Sequence, residues 1–307
     1  AQSDWEGLAA SIRGALSWGM SGAPCHGADV GGFYGSRQPS PELYVRWLQA
    51  AVFGSHLRLN GIGEREPWAF GDEVEAIARK WIAFRYRLIP YLQRVLAEAT
   101  ATGMPVMRAM PLAFPGNPLV RDCETQFLCG DTLLVAPILQ DGGQVTITLP
   151  PGAWYDLNSR QRFPGQRVLR YRATLDQFPV FGREGHALPL GRAVQHTGEI
   201  DVAAPLGELW VFGKPVAPLE GFTQVRIAPD ATGAAAIDAA RPGVLFVALT
   251  SPRKGRFLAR WGERLDVRVW HGVGGSFDVL AGKVRRAPQL WQRLGLEWLY
   301  RVLQEPR

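Results

Sequence analysis

Residues 1–36 read AQSDWEGLAASIRGALSWGMSGAPCHGADVGGFYGS, and this stretch decides the fold class. Its segment from Ser3 to Glu6 has the form of a capping box, in which the serine accepts at the helix start and the glutamate reaches back. Apolar side chains then recur at helical spacing, at Trp5, Leu8, Ile12 and Leu16. A glycine-punctuated loop follows. The stretch therefore predicts a helix that leads into a glycine-rich turn.

Two further helical patterns extend this rhythm. Residues 41–53 place Leu43, Trp47, Leu48 and Val52 on one face. Apolar residues recur at helical spacing over residues 72–100 and predict a longer helix. Pro90 should kink this helix, because proline has no N–H to donate to the preceding turn. Helices that alternate with short apolar segments are typical of a parallel barrel or a doubly wound sheet.

The pattern changes after Gly103. Short apolar runs between Gly and Pro turns predict the strands of an antiparallel sandwich. The runs are 132–139, 144–149, 154–155, 178–181, 209–212 and 223–227. From about residue 234 an Ala-rich helix, a buried parallel strand at 244–249 and another strand at 267–269 indicate a return to α/β structure.

Composition narrows the functional classes. The 307 residues carry a net charge of +6, and we read the arginines of the last stretch as a solvated face rather than a membrane-binding one. Three cysteines without a CxxC pattern argue against a disulfide framework and a zinc site, so we expect all three to be small buried side chains in a reducing, cytoplasmic compartment. We expect no metal, no cofactor, no nucleic-acid partner and no transmembrane segment.

Several blocks in order resemble glycoside hydrolase family 31, with the α-glucosidase and α-xylosidase branches nearest. The blocks are Gly27–Phe33, Glu42–Trp47, Arg65–Trp68, Arg85–Tyr91, Pro105–Arg108, Gln126–Asp131, Val135–Pro137 and Pro151–Asp156. The resemblance runs to roughly residue 230. It implies the last part of a (β/α)8 barrel over residues 1–104 and a β-sandwich over residues 105–232.

The resemblance also implies a retaining α-glycosidase, which uses one carboxyl group as nucleophile and another as acid/base, about 5 Å apart. Both are expected upstream of Ala1, so this chain has no catalytic residue. What remains is a substrate-binding rim. Asp29 would support the sugar subsite, Phe33 would form an apolar wall, and Arg58 would brace the next strand end. Asn60 stands where the family carries a sugar-binding His; it can still donate and accept, but it cannot become cationic.

Other readings of the same residues are simpler. Asp29 alone reads as a turn residue that bonds its own backbone. Four further acids, Glu64, Glu66, Asp72 and Glu73, read as helix caps and dipole partners rather than as a catalytic pair. The two histidines His26 and His56 fall outside the family's functional position and read as ordinary core or rim residues.

The final segment resembles the WecG/TagA/CpsF glycosyltransferases, which use UDP-sugars and lipid-linked acceptors. The resemblance rests on Arg241–Leu249, Gly272–Asp278, Ala281–Pro288, Gly295–Arg301 and Gln304–Arg307. It implies a Rossmann-like α/β segment over residues 233–307. A glycine loop after a strand lets the backbone approach a diphosphate, so Gly274 and Gly275, with Arg285 and Arg286 nearby, would bind the nucleotide sugar. The alternative is a glycine-rich turn before a helix.

Three functions remain open. The first is an α-glycosidase by family, which binds an α-linked oligosaccharide or glycoside but is inactive as this chain alone. The second is a UDP-sugar-dependent glycosyltransferase acting through the tail. The third is a non-catalytic sugar-binding module that complements an upstream polypeptide.

Overall fold

The computed structural model describes residues 1–35, 38–201 and 206–213, together with the backbone of three short strands between residues 226 and 271. The chain divides into two compact units, Ala1–Ala236 and Ile237–Arg307.

The first unit opens with two alternating helix–strand pairs. Helix α1 (Trp5–Met20) precedes strand β1 (Gly27–Asp29), and helix α2 (Pro41–Ala51) precedes strand β2 (His56–Arg58). The two strands are parallel and pair Gly27 with His56 and Asp29 with Arg58. This agrees with the predicted alternation, although β1 lies inside the stretch that we predicted to be a loop.

The cap of α1 differs from the prediction. Asp4, not Ser3, is the N-cap, and its Oδ1 accepts from the Gly7 N–H at 2.6 Å. Ser3 instead donates to the Tyr34 carbonyl at 2.8 Å. Either side chain suits a helix start. Ser3 is used elsewhere because the chain around Tyr34 returns to residues 1–3.

The long helical pattern is interrupted as predicted. A single 3₁₀ turn (Pro67–Phe70) leads into α3 (Asp72–Arg87), and α4 (Ile89–Thr102) follows after Leu88. Pro90 stands in the first turn of α4, where its missing N–H costs nothing. Asp72 and Glu73, which the sequence indicated as dipole partners, lie in the first turn of α3. Their negative charges interact favourably with the positive N-terminal end of the helix dipole.

The remainder of the unit is built mainly from short antiparallel strands. In chain order they are β3 (Met107–Ala109), β4 (Phe127–Cys129), β5 (Leu133–Val135), β6 (Gln144–Leu149), β7 (Ala153–Asp156), β8 (Arg162–Pro164), β9 (Arg167–Arg172), β10 (Val180–Arg183), β11 (Ala187–Leu190) and β12 (Glu208–Val211). A one-turn helix α5 (Met110–Ala113) follows β3, and a 3₁₀ turn (Thr197–Glu199) follows β11.

The strands form a sheet of order β3-β4-β5-β10-β7-β8, in which every pairing is antiparallel. Strands β6 and β9 pair separately, and β11 pairs with β12, which also has a parallel partner in β13 (Arg226–Ile227). Apolar residues of β6, including Ile147 and Leu149, pack on Trp154 and Phe181 of the larger sheet. This two-layer packing is the predicted sandwich arrangement.

One hydrophobic core joins the helical and sheet parts of the first unit. It contains Trp47 and Phe53 from the α2 region, Trp81 from α3, and Phe178 and Val180 from the sheet region. The rings of Phe53 and Phe178 stack with centroids 6.1 Å apart. The first strands therefore rest on a helical layer that is itself packed on the sheet.

In the second unit the structure describes one parallel pair, β14 (Val244–Phe246) and β15 (Val269–His271). The predicted strand at 244–249 begins where expected, and its parallel pairing agrees with the prediction. The predicted Ala-rich helix and glycine loop lie outside the described residues.

The cysteine prediction is wrong for two of the three residues. Cys129 is fully buried, Cys123 is half-buried and Cys25 is exposed. Burial in β4 raises the pKa of the Cys129 thiol to about 12. Cys25 is exposed because it lies in the turn between α1 and β1, which the apolar pattern of α1 does not cover.

Among the described helices, none combines the length and the apolarity that crossing a membrane requires.

Candidate functional site

The carboxyl ends of β1 and β2 carry the polar residues that the sequence singled out. Asp29 ends β1, and Arg58 ends the neighbouring parallel strand at the paired register position. The pairing continues one residue further, because the Val30 N–H donates to the Arg58 carbonyl at 2.9 Å. Parallel strands of α/β folds bring functional side chains together at this end.

Asp29, Arg58 and Asn60 form one hydrogen-bonded group. Arg58 Nε donates to Asp29 Oδ1 at 2.5 Å, and its Nη2 lies 3.5 Å from Oδ2. Asn60 Nδ2 lies 3.4 Å from the same Oδ1. Both close contacts fall on one oxygen, and a carboxylate has about four acceptor positions. Asp29 therefore keeps acceptor capacity, chiefly at Oδ2, for a further donor.

The loop after Asp29 depends on glycine. Gly31 and Gly32 both have a φ of +81°, and a Cβ on Gly32 would lie 2.6 Å from the Gln2 carbonyl oxygen. The Gly32 N–H donates to the Asp29 carbonyl at 3.0 Å, and the Phe33 N–H donates to the Ala1 carbonyl at 3.0 Å. Residues other than glycine are strained at this φ, and a side chain at Gly32 would also lack space. The turn therefore needs glycine, and its hydrogen bonds fix the course of the backbone directly after Asp29.

Phe33 is half-buried on this loop. Its carbonyl accepts from the Ile62 N–H at 3.0 Å, so the loop is tied to the segment that follows Asn60. Its ring meets the exposed ring of Tyr34 edge-to-face at 5.0 Å. Tyr34 is therefore a second candidate for the apolar wall of the sugar site, and it was not predicted from the sequence.

Arg65 braces the site from beneath and was assigned no role from the sequence. It is buried, and its Nε donates to the Gly32 carbonyl at 3.0 Å while Nη2 donates to Ser3 Oγ at 2.8 Å. Tyr44 of α2 donates to the Arg65 carbonyl at 2.7 Å. Burial lowers the pKa of the Arg65 guanidinium. The Arg65–Trp68 block of the family resemblance was the sequence signal that could have pointed to Arg65.

The histidines behave as rim residues. His26 is half-buried, and burial lowers the pKa of its imidazole against the opposing charge of Asp29. Its Nε2 has no hydrogen-bond partner among the described residues. Ser55 Oγ bonds both backbone groups of His26 at 2.7 Å and lies 3.2 Å from Nδ1 of the exposed His56.

The helix cap predicted at Glu66 does not form: Glu66 precedes the 3₁₀ turn Pro67–Phe70, but its side chain makes no capping hydrogen bond to that turn. Glu66 Oε2 accepts from the Arg65 N–H at 3.1 Å, and both Glu66 and Glu64 are exposed. Within residues 1–35, 38–201 and 206–213, no three His, Cys, Asp or Glu side chains are grouped so that they could hold a metal ion.

The nucleotide-sugar residues predicted for the tail, Gly274, Gly275, Arg285 and Arg286, lie outside the described residues.

Comparison with protein families matches three stretches of the chain. Residues 1–95 match the TIM-barrel domain of glycosyl hydrolases family 31, and residues 103–188 match the C-terminal domain of the same family. Residues 218–307 match the glycosyl transferase WecG/TagA/CpsF family.

Individual relatives agree with the first two matches. The chain is 36% identical over 203 residues to human neutral alpha-glucosidase AB, covering 64% of this chain and 21% of that protein. It is 32% identical over 203 residues to the alpha-xylosidase of Saccharolobus solfataricus, covering 64% and 28%. A GH31 dextranase of Flavobacterium johnsoniae, solved with glucose, superposes with a TM-score of 0.62 at 34% identity, covering 69% and 27%.

The chain thus spans between a fifth and a third of the length of these relatives. The sequence blocks and the parallel β1–β2 pair lie within the residues that the two family 31 models match. The six strands of the larger antiparallel sheet also lie within those residues. Over residues 1–188 the chain belongs to glycosyl hydrolase family 31, and its C-terminal residues carry a WecG/TagA/CpsF glycosyl transferase match.

Proposed function

We propose that the carboxyl ends of β1 and β2 bind the sugar ring of an α-linked glycoside, as part of an α-glycosidase of the α-glucosidase or α-xylosidase type. The observation that carries this proposal is the Asp29 carboxylate, which Arg58 and Asn60 hold through Oδ1. The family membership and the names of the relatives support the substrate class.

The geometry suits a neutral polyol. Asp29 Oδ2 can accept from a sugar hydroxyl, while the Asn60 amide and the largely exposed Arg58 guanidinium supply donors. A hydrogen bond from a hydroxyl to a charged carboxylate is stronger than a hydrogen bond between two neutral groups. Phe33 adds an apolar surface next to these groups, on the same loop.

Hydrolysis with retention needs two carboxyl groups about 5 Å apart. The resemblance assigns neither of them to a residue of this chain. For these 307 residues alone we therefore propose sugar binding without turnover.

The binding proposal can be tested by titrating the full chain with methyl α-D-glucopyranoside and methyl α-D-xylopyranoside, followed by saturation-transfer NMR. Asp29→Asn keeps the shape and removes the charge, so we expect binding to weaken about tenfold, as for the loss of a charge-assisted hydrogen bond. Asp141→Asn, at an exposed aspartate of the sheet region, is the matched control and should bind as the wild type does. Equal binding by the wild type and Asp29→Asn would refute the role of Asp29.

Turnover is tested separately. Incubation of the chain with p-nitrophenyl α-glucoside and α-xyloside should release no nitrophenol above the uncatalysed rate. Sustained release that Asp29→Asn abolishes would show that the chain contains a catalytic pair, against the proposal.

A second candidate function belongs to the second unit. The WecG/TagA/CpsF match over 218–307 and the parallel β14–β15 pair favour nucleotide-sugar binding there. Calorimetric titration with UDP tests it. Saturable heat that Arg285→Ala with Arg286→Ala removes would support it; neither heat nor a thermal shift would count against it.

A third candidate is complementation. Among the described residues, β1 and β2 pair only with each other, so each has an open edge. An open parallel edge favours a partner strand, because its backbone groups otherwise stay unpaired. Co-expression with the product of the neighbouring upstream gene should give a complex; two independently migrating species would contradict this reading.

The cytoplasmic location expected from the cysteines stays a prediction.

A further inference from the structure

A cavity that includes none of the residues at the ends of β1 and β2 lies between α3 and the antiparallel sheets. Its volume is about 550 Å³. Cavities of 300–1,000 Å³ are the usual size for small-molecule sites. It is lined by residues near the end of α2, by one face of α3, and by the segments around β7, β10 and β12.

Aromatic rings form the apolar wall. Phe84 and Trp210 are half-buried, and their rings lie 6.2 Å apart and tilted by 33°. Trp81 and Phe178 meet edge-to-face at 6.0 Å behind them. Half-buried aromatic faces of this kind offer a flat apolar surface to a ligand.

The charged groups at the cavity are already paired. Lys80 Nζ lies 3.0 Å from Asp176 Oδ2, and Arg87 forms an ion pair with Glu208. The cavity therefore offers little net charge to an anion such as a nucleotide or a phosphate. A neutral ligand fits this balance better.

Uncharged hydrogen-bonding atoms remain for such a ligand. Asn158 Nδ2 is held by the Phe178 carbonyl at 2.8 Å and by Tyr171 Oη at 3.0 Å, while no hydrogen bond among the described residues engages its Oδ1. Gln177 Oε1 accepts from the Thr174 N–H at 3.3 Å, and its Nε2 is likewise unengaged within the described part of the chain. Trp81 Nε1 is buried without an acceptor there.

We propose that this cavity is a second saccharide-binding site, in which a neutral pyranose lies with its C–H face on Phe84 and Trp210. Its hydroxyls bond Asn158 Oδ1 and Gln177 Nε2. The pairing of an acceptor with a donor beside aromatic rings matches a ring that has one apolar face and a hydroxyl edge. This site does not require that Asp29 binds sugar, since it shares none of the residues of that site.

The test uses the full chain, with methyl α-D-glucopyranoside and maltose as probes in saturation-transfer NMR and calorimetry. Ala83→Leu places a larger side chain on the α3 face that lines the cavity. Ala76→Leu, at an exposed position of the same helix, is the matched control. We expect Ala83→Leu to weaken one binding event at least tenfold and Ala76→Leu to leave it unchanged.

A second variant guards against misfolding. Gln177→Glu keeps the shape of the side chain, replaces the Nε2 donor by an oxygen, and should also weaken that event. Binding at this cavity should survive Asp29→Asn, which separates the two sites. If the wild type shows no event that survives Asp29→Asn, or if Ala83→Leu and Gln177→Glu both bind normally, the cavity is not a saccharide site.

Discussion

At the scale of single residues, Arg46 is a buried arginine that donates hydrogen bonds to several backbone carbonyls. Arg46 of α2 is 1% exposed and donates to the carbonyls of Gln177 at 2.7 Å and Thr174 at 3.2 Å. Glu42 lies 3.5 Å from its Nε, within ion-pair range but without hydrogen-bond geometry. The guanidinium therefore fastens the segment before β10 to the helical layer.

We expect Arg46→Met to lower the free energy of unfolding by about 3 kcal/mol, because it leaves several buried carbonyls without donors. Urea unfolding followed by circular dichroism measures this. Arg79→Met removes an exposed ion pair with Glu75 on α3 and should cost less than about 1 kcal/mol. Equal effects of the two substitutions would show that the Arg46 network contributes little.

A second residue-scale prediction concerns acid. Burial acts to raise the pKa of Asp131, but its bonds to Arg94 and Thr132 outweigh burial and lower the pKa to about 2. A folded-state pKa below the unfolded value of about 3.8 means that this pair stabilises the fold above pH 4. The contribution is lost as the pH falls from about 4 to about 2.

Asp131→Asn should therefore flatten the loss of stability between pH 4 and pH 2. The effect at neutral pH should be about 1 kcal/mol or less, since Arg94 and Asp131 are both partly exposed and solvent screens their attraction. Unfolding titrations at several pH values measure it. An unchanged slope in Asp131→Asn would contradict the assignment.

At the scale of elements, α4 and β4 meet too closely for any side chain at Gly130. This residue has a φ of +61°, and a Cβ there would lie 2.6 Å from Val95 and would also clash with Tyr91 Oη. Tyr91 Oη donates to the Cys129 carbonyl at 2.6 Å and accepts from the Thr132 N–H at 3.2 Å. The turn after β4 is thereby locked onto α4.

Gly130→Ala should destabilise the protein by about 2–4 kcal/mol, through the strained φ and the overpacking together. Gly142→Ala is the matched control, because Gly142 also has a positive φ, +89°, but a Cβ at this position would have no other atom within 4 Å. It should cost only about 1 kcal/mol. Thermal unfolding of both variants compares them, and a Gly130→Ala protein as stable as the control would refute the close approach.

At the scale of the first unit, the helical part and the sheets share one core, so they should unfold together. Phe178 is 1% exposed, stacks on Phe53 and contacts Trp81. Phe178→Ala should cost about 3–5 kcal/mol by leaving a cavity between the two parts.

The measurement is guanidinium unfolding followed by near-ultraviolet and far-ultraviolet circular dichroism, whose transitions for this unit should shift together. Val168→Ala, at an exposed position of β9, should change stability by less than about 0.5 kcal/mol. Two separated transitions in the Phe178→Ala protein would show that the helical and sheet parts are independent.

The sequence predicted the elements with a strong local signal. The apolar period of α1, the period of α2 and the break near Pro90 all reflect interactions within a few residues of each other. Strands such as β3, β4, β8, β9 and β11 were not predicted. Most of them are three or four residues long, and too short to show a clear alternation.

The candidate site divides in the same way. The glycines of the turn after Asp29 and the ordered family blocks marked Asp29, Phe33, Arg58 and Asn60 from the sequence. The brace formed by Arg65 and Ser3, and the Asn60 contact with Asp29 Oδ1, were not foreseen. They join residues 62 and 31 positions apart, respectively, a separation over which one sequence carries no local signal.

By itself the sequence determined the family, the helices and the residue types at the ends of β1 and β2, because these depend on ordered motifs and local periodicity. Only the tertiary structure decided which of these residues touch. It set Arg58 and Asn60 on one oxygen of Asp29, brought Arg65 beneath the glycine turn, and formed the cavity beside α3. The physical reason is that such contacts form between segments that meet only when the whole unit packs around its common core.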